Sequence, residues 1–298
     1  MATAIRDALV DLLPTDKVDV LIERALAEDL GSGDLTTENA VPGERQARAR
    51  LVAKESGVLA GLPIFSRTFF LCDAGCALVQ RKSDGDRVRD GDVIAEVEGP
   101  ARALLVAERT ALNFLQRMSG IATATARLVE LAAGRVRVLD TRKTTPGLRR
   151  IEKYSVLCGG GENHRFGLHD QVMIKENHLD LADSDAESLT RRIRGKVGAE
   201  VVMTVEARNA EEAHGAVRGG ADVVLLDNMS CEELLALVPQ LRARAVELGR
   251  SVELEASGGI DEASLEAVSH CGLDRVSIGA LTHSAPALDF SLYLEPLP

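Results

Sequence analysis

The sequence predicts an α/β protein: an incomplete parallel β/α barrel preceded by an N-terminal α+β domain of open-sandwich type. Three observations point there. Six short apolar runs recur after residue 135, each ending in polar residues or glycine, at Val136–Asp140, Val172–Ile174, Val201–Val205, Val223–Leu226, Val252–Ala256 and Arg275–Ile278. Helical patterns separate most of them, and strand–helix repetition of this kind builds a parallel sheet. The earlier half instead pairs strand-like runs across tight turns. Six strands fall short of the eight that close a full barrel, so an irregular one is expected.

Taken in order, Val18–Leu30 reads as a short amphipathic helix, and Glu28–Asp34 as a structural turn and helix cap. Ala47–Ala60 and Ala77–Val97 read as strands, with tight turns offered by Gly85-Asp-Arg-Val-Arg-Asp-Gly91. Ala101–Ala133 is strongly helical, with a break expected near Ser119-Gly120. The boundary between the domains is placed at residue 114, giving residues 1–114 and 115–285. In the second domain, Ser184 with Glu187, Asn209 with Glu212 and Ser230 with Glu233 have capping-box spacing. Leucines at a helical period follow Ser230.

Composition narrows the function. The chain has 298 residues, 45% hydrophobic and 27% charged, an ordinary balance for a globular protein. A net charge of −11, no Trp, two Tyr and six Phe argue against both duplex and single-stranded nucleic acid as partners. No apolar run is long enough to span a bilayer, and the N-terminus lacks the pattern of a signal peptide. Five cysteines without metal-type spacing fit a reducing cytoplasm, and Cys72 and Cys76 read as packing residues.

Against this acidic background, Arg135–His178 carries nine Lys/Arg and five Asp/Glu, with three of the six histidines. Cations beside glycines and strand ends suit a small polyanion. The strand ends sort by chemistry. Arg142 and Lys143 follow the first strand, Lys175 the second, Glu206 the third and Asp227 the fourth. Ser257-Gly258-Gly259 follows the fifth and Gly279 the sixth. Active sites of β/α barrels form at this face. Cations would hold a pyrophosphate, carboxylates the ribose hydroxyls or a metal, and glycine-turn N–H groups a terminal phosphate. Glu206 and Asp227 read equally well, by themselves, as caps or surface carboxylates. Gly159–Gly161 suggests close backbone approach. Tyr154 and His169 read as packing or supporting residues, and His178 as a residue that orients the loop at Lys175.

In chain order, the motifs are Glu28-Asp-Leu-Gly-Ser-Gly-Asp34, Glu108-Arg-Thr-Ala-Leu-Asn113, Ser119-Gly-Ile-Ala-Thr123, Thr141-Arg-Lys-Thr-Thr-Pro-Gly147, Gly159-Gly-Gly161 with His164-Arg165, and Ile174-Lys-Glu-Asn-His178. Leu226-Asp-Asn-Met229, Glu255-Ala-Ser-Gly-Gly-Ile260 and Ser277-Ile-Gly-Ala-Leu-Thr-His-Ser284 complete the set. Each is weak alone; together, over nearly the whole chain, they resemble the quinolinate phosphoribosyltransferase family.

The resemblance implies quinolinate and phosphoribosyl pyrophosphate as substrates, with nicotinate mononucleotide, pyrophosphate and carbon dioxide as products of NAD biosynthesis. It implies that Arg109, Arg142, His164, Arg165 and Lys175 hold quinolinate, that Lys143 and Lys175 face the pyrophosphate, and that Glu206 and Asp227 contact the ribose and an Mg²⁺-bound diphosphate. Ser257, Gly258, Gly259, Gly279 and His283 would cradle the 5′-phosphate. It further implies a homodimer or higher homo-oligomer with shared sites, Arg109 reaching into a partner subunit, and a C-terminal tail, 286–298, that returns to the first domain. Two other readings stand beside it: a related phosphoribosyltransferase-like protein with another substrate, and a non-catalytic sensor of a phosphorylated metabolite.

Overall fold

The computed structural model describes Ile5 and residues 10–298. The chain forms two compact units. One comprises the chain up to Ala126 together with Thr145–Gly160 and Ser284–Pro298; the other comprises Arg127–Thr144 and Gly161–His283.

The first unit is built on an antiparallel sheet of order β12-β1-β5-β3, with β1 Gln46–Ala53, β3 Ala77–Gln80, β5 Val93–Pro100 and β12 Phe290–Pro296. A separate two-stranded ribbon pairs β2 Gly57–Val58 with β4 Arg87–Val88. Alternation explains the face of β1: Ala47, Ala49, Leu51 and Ala53 are buried, while Arg48 and Arg50 point away from the core. The buried side meets Phe65, Phe69, Ile94, Leu104, Leu112 and Leu115. Phe65 and Phe69 stack tilted, with ring centroids 5.0 Å apart.

Two expectations change here. The run Ala47–Ala60 is not one strand; it divides into β1 and β2 and is followed by a helix, Leu62–Cys72, that the sequence reading lacks. Its cap is not local. Asp84 lies 22 residues beyond Leu62, and its carboxylate accepts the N–H groups of Gly61 and Leu62 at 2.9 and 3.0 Å. The helix Ala101–Ala132 is continuous, without a break at Ser119-Gly120. There Ser119 Oγ accepts from Ala60 N–H and donates to Ala60 O. A side chain at Gly120 would collide with the Pro286 carbonyl. The glycine therefore serves close packing.

The boundary expected at residue 114 falls inside this helix. Compactness carries the first unit to Ala126 and brings back Thr145–Gly160. The helix Arg149–Cys158 accounts for that return: its Ile151, Tyr154 and Cys158 join the cluster of Ile22, Ile64 and Met118. A Cβ at Gly159 would strike the Ala122 carbonyl, so the first glycine of the triplet permits a close approach to the long helix. Tyr154 is buried, and its hydroxyl donates to Asp84 at 2.9 Å. His169, expected to pack or support, is exposed. Cys72 and Cys76 are half-buried against the core of the first unit. Asp34 caps Leu35–Ala40, accepting from Thr36 and Thr37 N–H.

The second unit is a parallel six-stranded sheet of order β6-β11-β10-β9-β8-β7. The strands are β6 Arg137–Leu139, β7 Val172–Ile174, β8 Met203–Ala207, β9 Val223–Asp227, β10 Glu253–Ser257 and β11 Arg275–Ser277. Helices connect β7 through β11. β6 and β7 are its two ends and do not pair, so the barrel is incomplete; on the open edge of β6, Leu139 makes an isolated parallel bridge to Glu162. Register places Glu206, Leu225, Glu255, Arg275 and Arg137 side by side on one face. Asn209 and Ser230 cap their helices, the latter in a full capping box with Glu233. The cap expected at Ser184 sits one residue later. Asp185 accepts from Ser188 N–H at 2.8 Å, a carboxylate being the better partner for a helix N-terminus.

Candidate functional site

A cavity of about 550 Å³ opens at the C-terminal ends of the parallel strands. Arg142, Lys143, His164, Arg165, Lys175, Glu206, Asp227, Ser257, Gly258 and Gly259 all line it. Gly279 and His283 stand beside it: a Cβ at Gly279 would lie 2.8 Å from Lys143 Cδ and 3.3 Å from His283. Thr282, three residues after Gly279, accounts for the placement of Lys143, since its hydroxyl donates to Lys143 O at 2.8 Å. Arg109 does not line this cavity. It is exposed on the long helix of the first unit, in a cleft of about 280 Å³ with Glu28, Asn113 and Arg117.

The cationic side is under tension. Arg165 is buried, and Nε of both Arg165 and Arg142 is buried without a protein partner. Burial, then the neighbouring Arg142 charge, lowers the proton affinity of Arg165 below the ordinary guanidinium value. Two like charges with spare donors are costly unless an anion joins them. Arg165 Nη1 donates only a long bond, 3.3 Å, to Gln171 O.

Opposite them, Lys175 Nζ lies 2.5 Å from Glu206 Oε2. Lys175 begins the helix Glu176–Leu181, where its N–H donates to His178 Nδ1 at 2.9 Å. His178 therefore holds the loop that carries Lys175. Asp227 accepts from Asn228 Nδ2 at 2.8 Å.

The glycine turn is shaped for backbone contact. Gly258 and Gly259 have φ of 98° and 60°, and Asn228, at φ 55°, lies where a Gly258 side chain would be. Successive left-handed residues turn N–H groups toward one point, an anion-binding concavity. Asn228 and Glu255 stand inside the motifs Leu226-Asp-Asn-Met229 and Glu255-Ala-Ser-Gly-Gly-Ile260, but neither has a role on sequence grounds. Asn228 N–H donates to Ser257 O at 2.9 Å and so joins the fourth and fifth strand ends. Glu255 had a visible signal: Glu253-Leu-Glu-Ala-Ser alternates charge with apolar residues inside a strand of a buried sheet.

No three carboxylate, histidine or cysteine side chains come together as a metal cage among the described residues. Two carboxylates on neighbouring strands, one already paired with Lys175, suit a hard cation only when other oxygens complete its shell.

Fold and cavity together define an α/β protein that gathers cations, two carboxylates and a glycine turn at one barrel mouth. The family models for the quinolinate phosphoribosyl transferase C-terminal and N-terminal domains match residues 121–293 and 34–119, and the chain belongs to that family. It is 42% identical to a Bacillus subtilis protein named "Probable nicotinate-nucleotide pyrophosphorylase (carboxylating)", over 91% of each chain. It is 36% identical to quinolinate phosphoribosyltransferase (decarboxylating) 1b of Nicotiana tabacum, over 95% of this chain and 83% of that one. The crystal structure of NadC from Streptococcus pyogenes superposes with a TM-score of 0.90 at 40% identity, covering 96% of this chain and 99% of that one. No helix among the described residues is long and apolar enough to cross a membrane.

Proposed function

We propose that this protein transfers the phosphoribosyl group of phosphoribosyl pyrophosphate to quinolinate, with decarboxylation, giving nicotinate mononucleotide, pyrophosphate and carbon dioxide for NAD biosynthesis. The observation that carries the reading is the pair Arg142 and Arg165, whose spare buried donors suit a planar dicarboxylate. His164 supports this wall. Lys143 and Lys175 take the diphosphate, Glu206 and Asp227 the ribose hydroxyls, and Ser257, Gly258, Gly259, Gly279 and His283 the 5′-phosphate.

The chemistry follows from these placements. The pyridine nitrogen attacks C1′ as pyrophosphate leaves, so the protein needs no nucleophile of its own. It holds the two substrates in line, which removes much of the entropic barrier. The carboxylates face the cationic sugar, and the lysines face the departing charge. The ring nitrogen, now positive, accepts the electron pair released with the 2-carboxylate. Mg²⁺ would be held by Glu206 and Asp227, directly or through water and substrate oxygens, and when bound would neutralise the diphosphate. The working unit in this reading is a homodimer or larger homo-oligomer in the cytoplasm, where the five free cysteines suit a reducing medium. Arg109 would complete a partner's site.

The test is product formation. Quinolinate, phosphoribosyl pyrophosphate and Mg²⁺ should yield nicotinate mononucleotide and pyrophosphate, and nicotinate should not replace quinolinate, because one guanidinium would be left unpaired. Absence of product from quinolinate would overturn the reading.

A further inference from the structure

We propose that Glu255, a fully buried carboxylate beneath the cavity, is a positioning residue that sets Arg165 through His164; the inference rests on reading Arg165 as a ligand for quinolinate. Glu255 is 0% exposed on β10, two residues before Ser257 on the same strand face. Its Oε2 accepts from Arg275 Nε at 2.8 Å, and its Oε1 lies 3.5 Å from His164 Nε2. His164 Nδ1 accepts the main-chain N–H of Arg165 at 2.7 Å, and His164 N–H donates to Asp140 at 2.8 Å. An Nδ1 that accepts cannot carry the ring proton, so the neutral ring carries it on Nε2, facing Glu255.

The consequence falls on Arg165. No salt bridge holds its guanidinium: Nε has no protein partner, Nη1 makes one long bond to Gln171 O, and the charges around it are Arg142, which repels it, and Asp170, which attracts it more weakly. With side-chain restraints this weak, where that guanidinium reaches depends chiefly on its main chain, and His164 holds the main chain. Glu255 is itself held in place. Arg275 also donates to Glu253 at 3.0 Å, and Arg137 bridges Glu253 at 2.5 Å and Glu162 at 3.0 Å. Only the Glu255–Arg275 end of this chain is buried, Arg137, Glu253 and Glu162 being half-exposed, and neither kind of pair is a strong source of stability. Here it ends on the residue that carries the substrate-facing arginine.

Two measurements test this. Imidazole nitrogen NMR of the whole wild-type protein, with His164 assigned by substitution, should show protonated Nε2 and bare Nδ1 at neutral pH. The opposite tautomer, or a charged ring, overturns the proposal whatever the protein's activity. In calorimetry, Glu255→Gln should weaken quinolinate binding by about tenfold to a hundredfold, the range expected of a small misplacement. Phosphoribosyl pyrophosphate binding should stay within about twofold, and in an Arg165→Lys background the effect of Glu255→Gln on quinolinate should largely vanish. Equal loss for both ligands, or additive losses, overturns it. Should Glu255→Gln not fold, Glu255→Gln with Arg275→Gln removes the buried cation along with the anion, and the same expectations apply. If the wild type makes no nicotinate mononucleotide, the functional reading fails, and the tautomer alone decides whether Glu255 orders the His164–Arg165 segment.

Discussion

Lys175 and Glu206 meet at 2.5 Å across two neighbouring strand ends, with the lysine side chain 44% exposed and the glutamate 9%. An ion pair with one partner so open to solvent adds little to stability, about 0–1 kcal/mol. Its position at the cavity matters more. Lys175→Ala should leave the melting temperature within a few degrees, yet lower turnover by about 10²–10³, the usual cost of one charge-assisted donor at a reacting centre. A variant that loses stability and keeps its rate would assign this pair to the fold alone.

The two carboxylates, Glu206 and Asp227, would repel a polyphosphate that arrived without a cation. Excess chelator should abolish product formation, and Mg²⁺ should restore it. Pyrophosphate release at full rate in chelator would remove the metal from the scheme.

Arg109 is exposed on the long helix and lines a cleft other than the cavity that holds Arg165. If it serves a partner's site, Arg109→Ala and Arg165→Ala proteins should each be nearly inactive. Refolded together, random mixing gives about half hybrids, each with one intact site, so activity should return to roughly a quarter of wild type. A mixture as inactive as its parents, with hybrids verified by mass, would place Arg109 in its own chain's chemistry or outside it.

Asp84 accepts three hydrogen bonds, from Gly61 N–H, Leu62 N–H and the Tyr154 hydroxyl. Even as a neutral carboxyl both its oxygens can still accept, whereas Asn replaces one of them with an NH2 group that only donates. Asp84→Asn should therefore cost about 1–3 kcal/mol, measured by denaturant unfolding. Burial raises the Asp84 pKa, outweighing those hydrogen bonds, which lower it. The native state therefore keeps this proton where the unfolded chain, near pH 3.9, has lost it. Asp84's contribution is full below that value and declines as pH rises through the folded pKa. The gap between wild type and variant should be widest near pH 4 and narrower at pH 7; a gap that widens with pH would refute this.

Much of the barrel was legible because its signals are local. Strand residues alternate, caps such as Asn209 and Ser230 sit at the helices they serve, and the chemistry lies at strand ends. Features missing from that reading depend on distant partners. Leu62–Cys72 takes its cap from Asp84, and Gly120, locally a helix breaker, is explained only by Pro286. The return of residues 145–160 to the first unit is equally hidden, because Ile151 and Tyr154 pack with residues far earlier in the chain. Glu255, though it opens a motif, has no role on sequence grounds for a related reason: a lone Glu in a strand acquires meaning only when register sets Arg275 beside it.

The pairing of β1 with β12, Ala53 opposite Phe290, also bears on how this chain comes to exist. The two strands are separated by roughly 240 residues, among the least local contacts a chain of this length can make, and such contacts form slowly. While the polypeptide is being synthesised, β1 can pair with β5 on one side, but its other edge stays bare until residues 290–296 have left the ribosome. Throughout that interval the nascent chain presents an open strand edge, the form most prone to pairing with a neighbour. The demand for a holding chaperone should thus be set by the time taken to translate the barrel, rather than by the barrel's own stability.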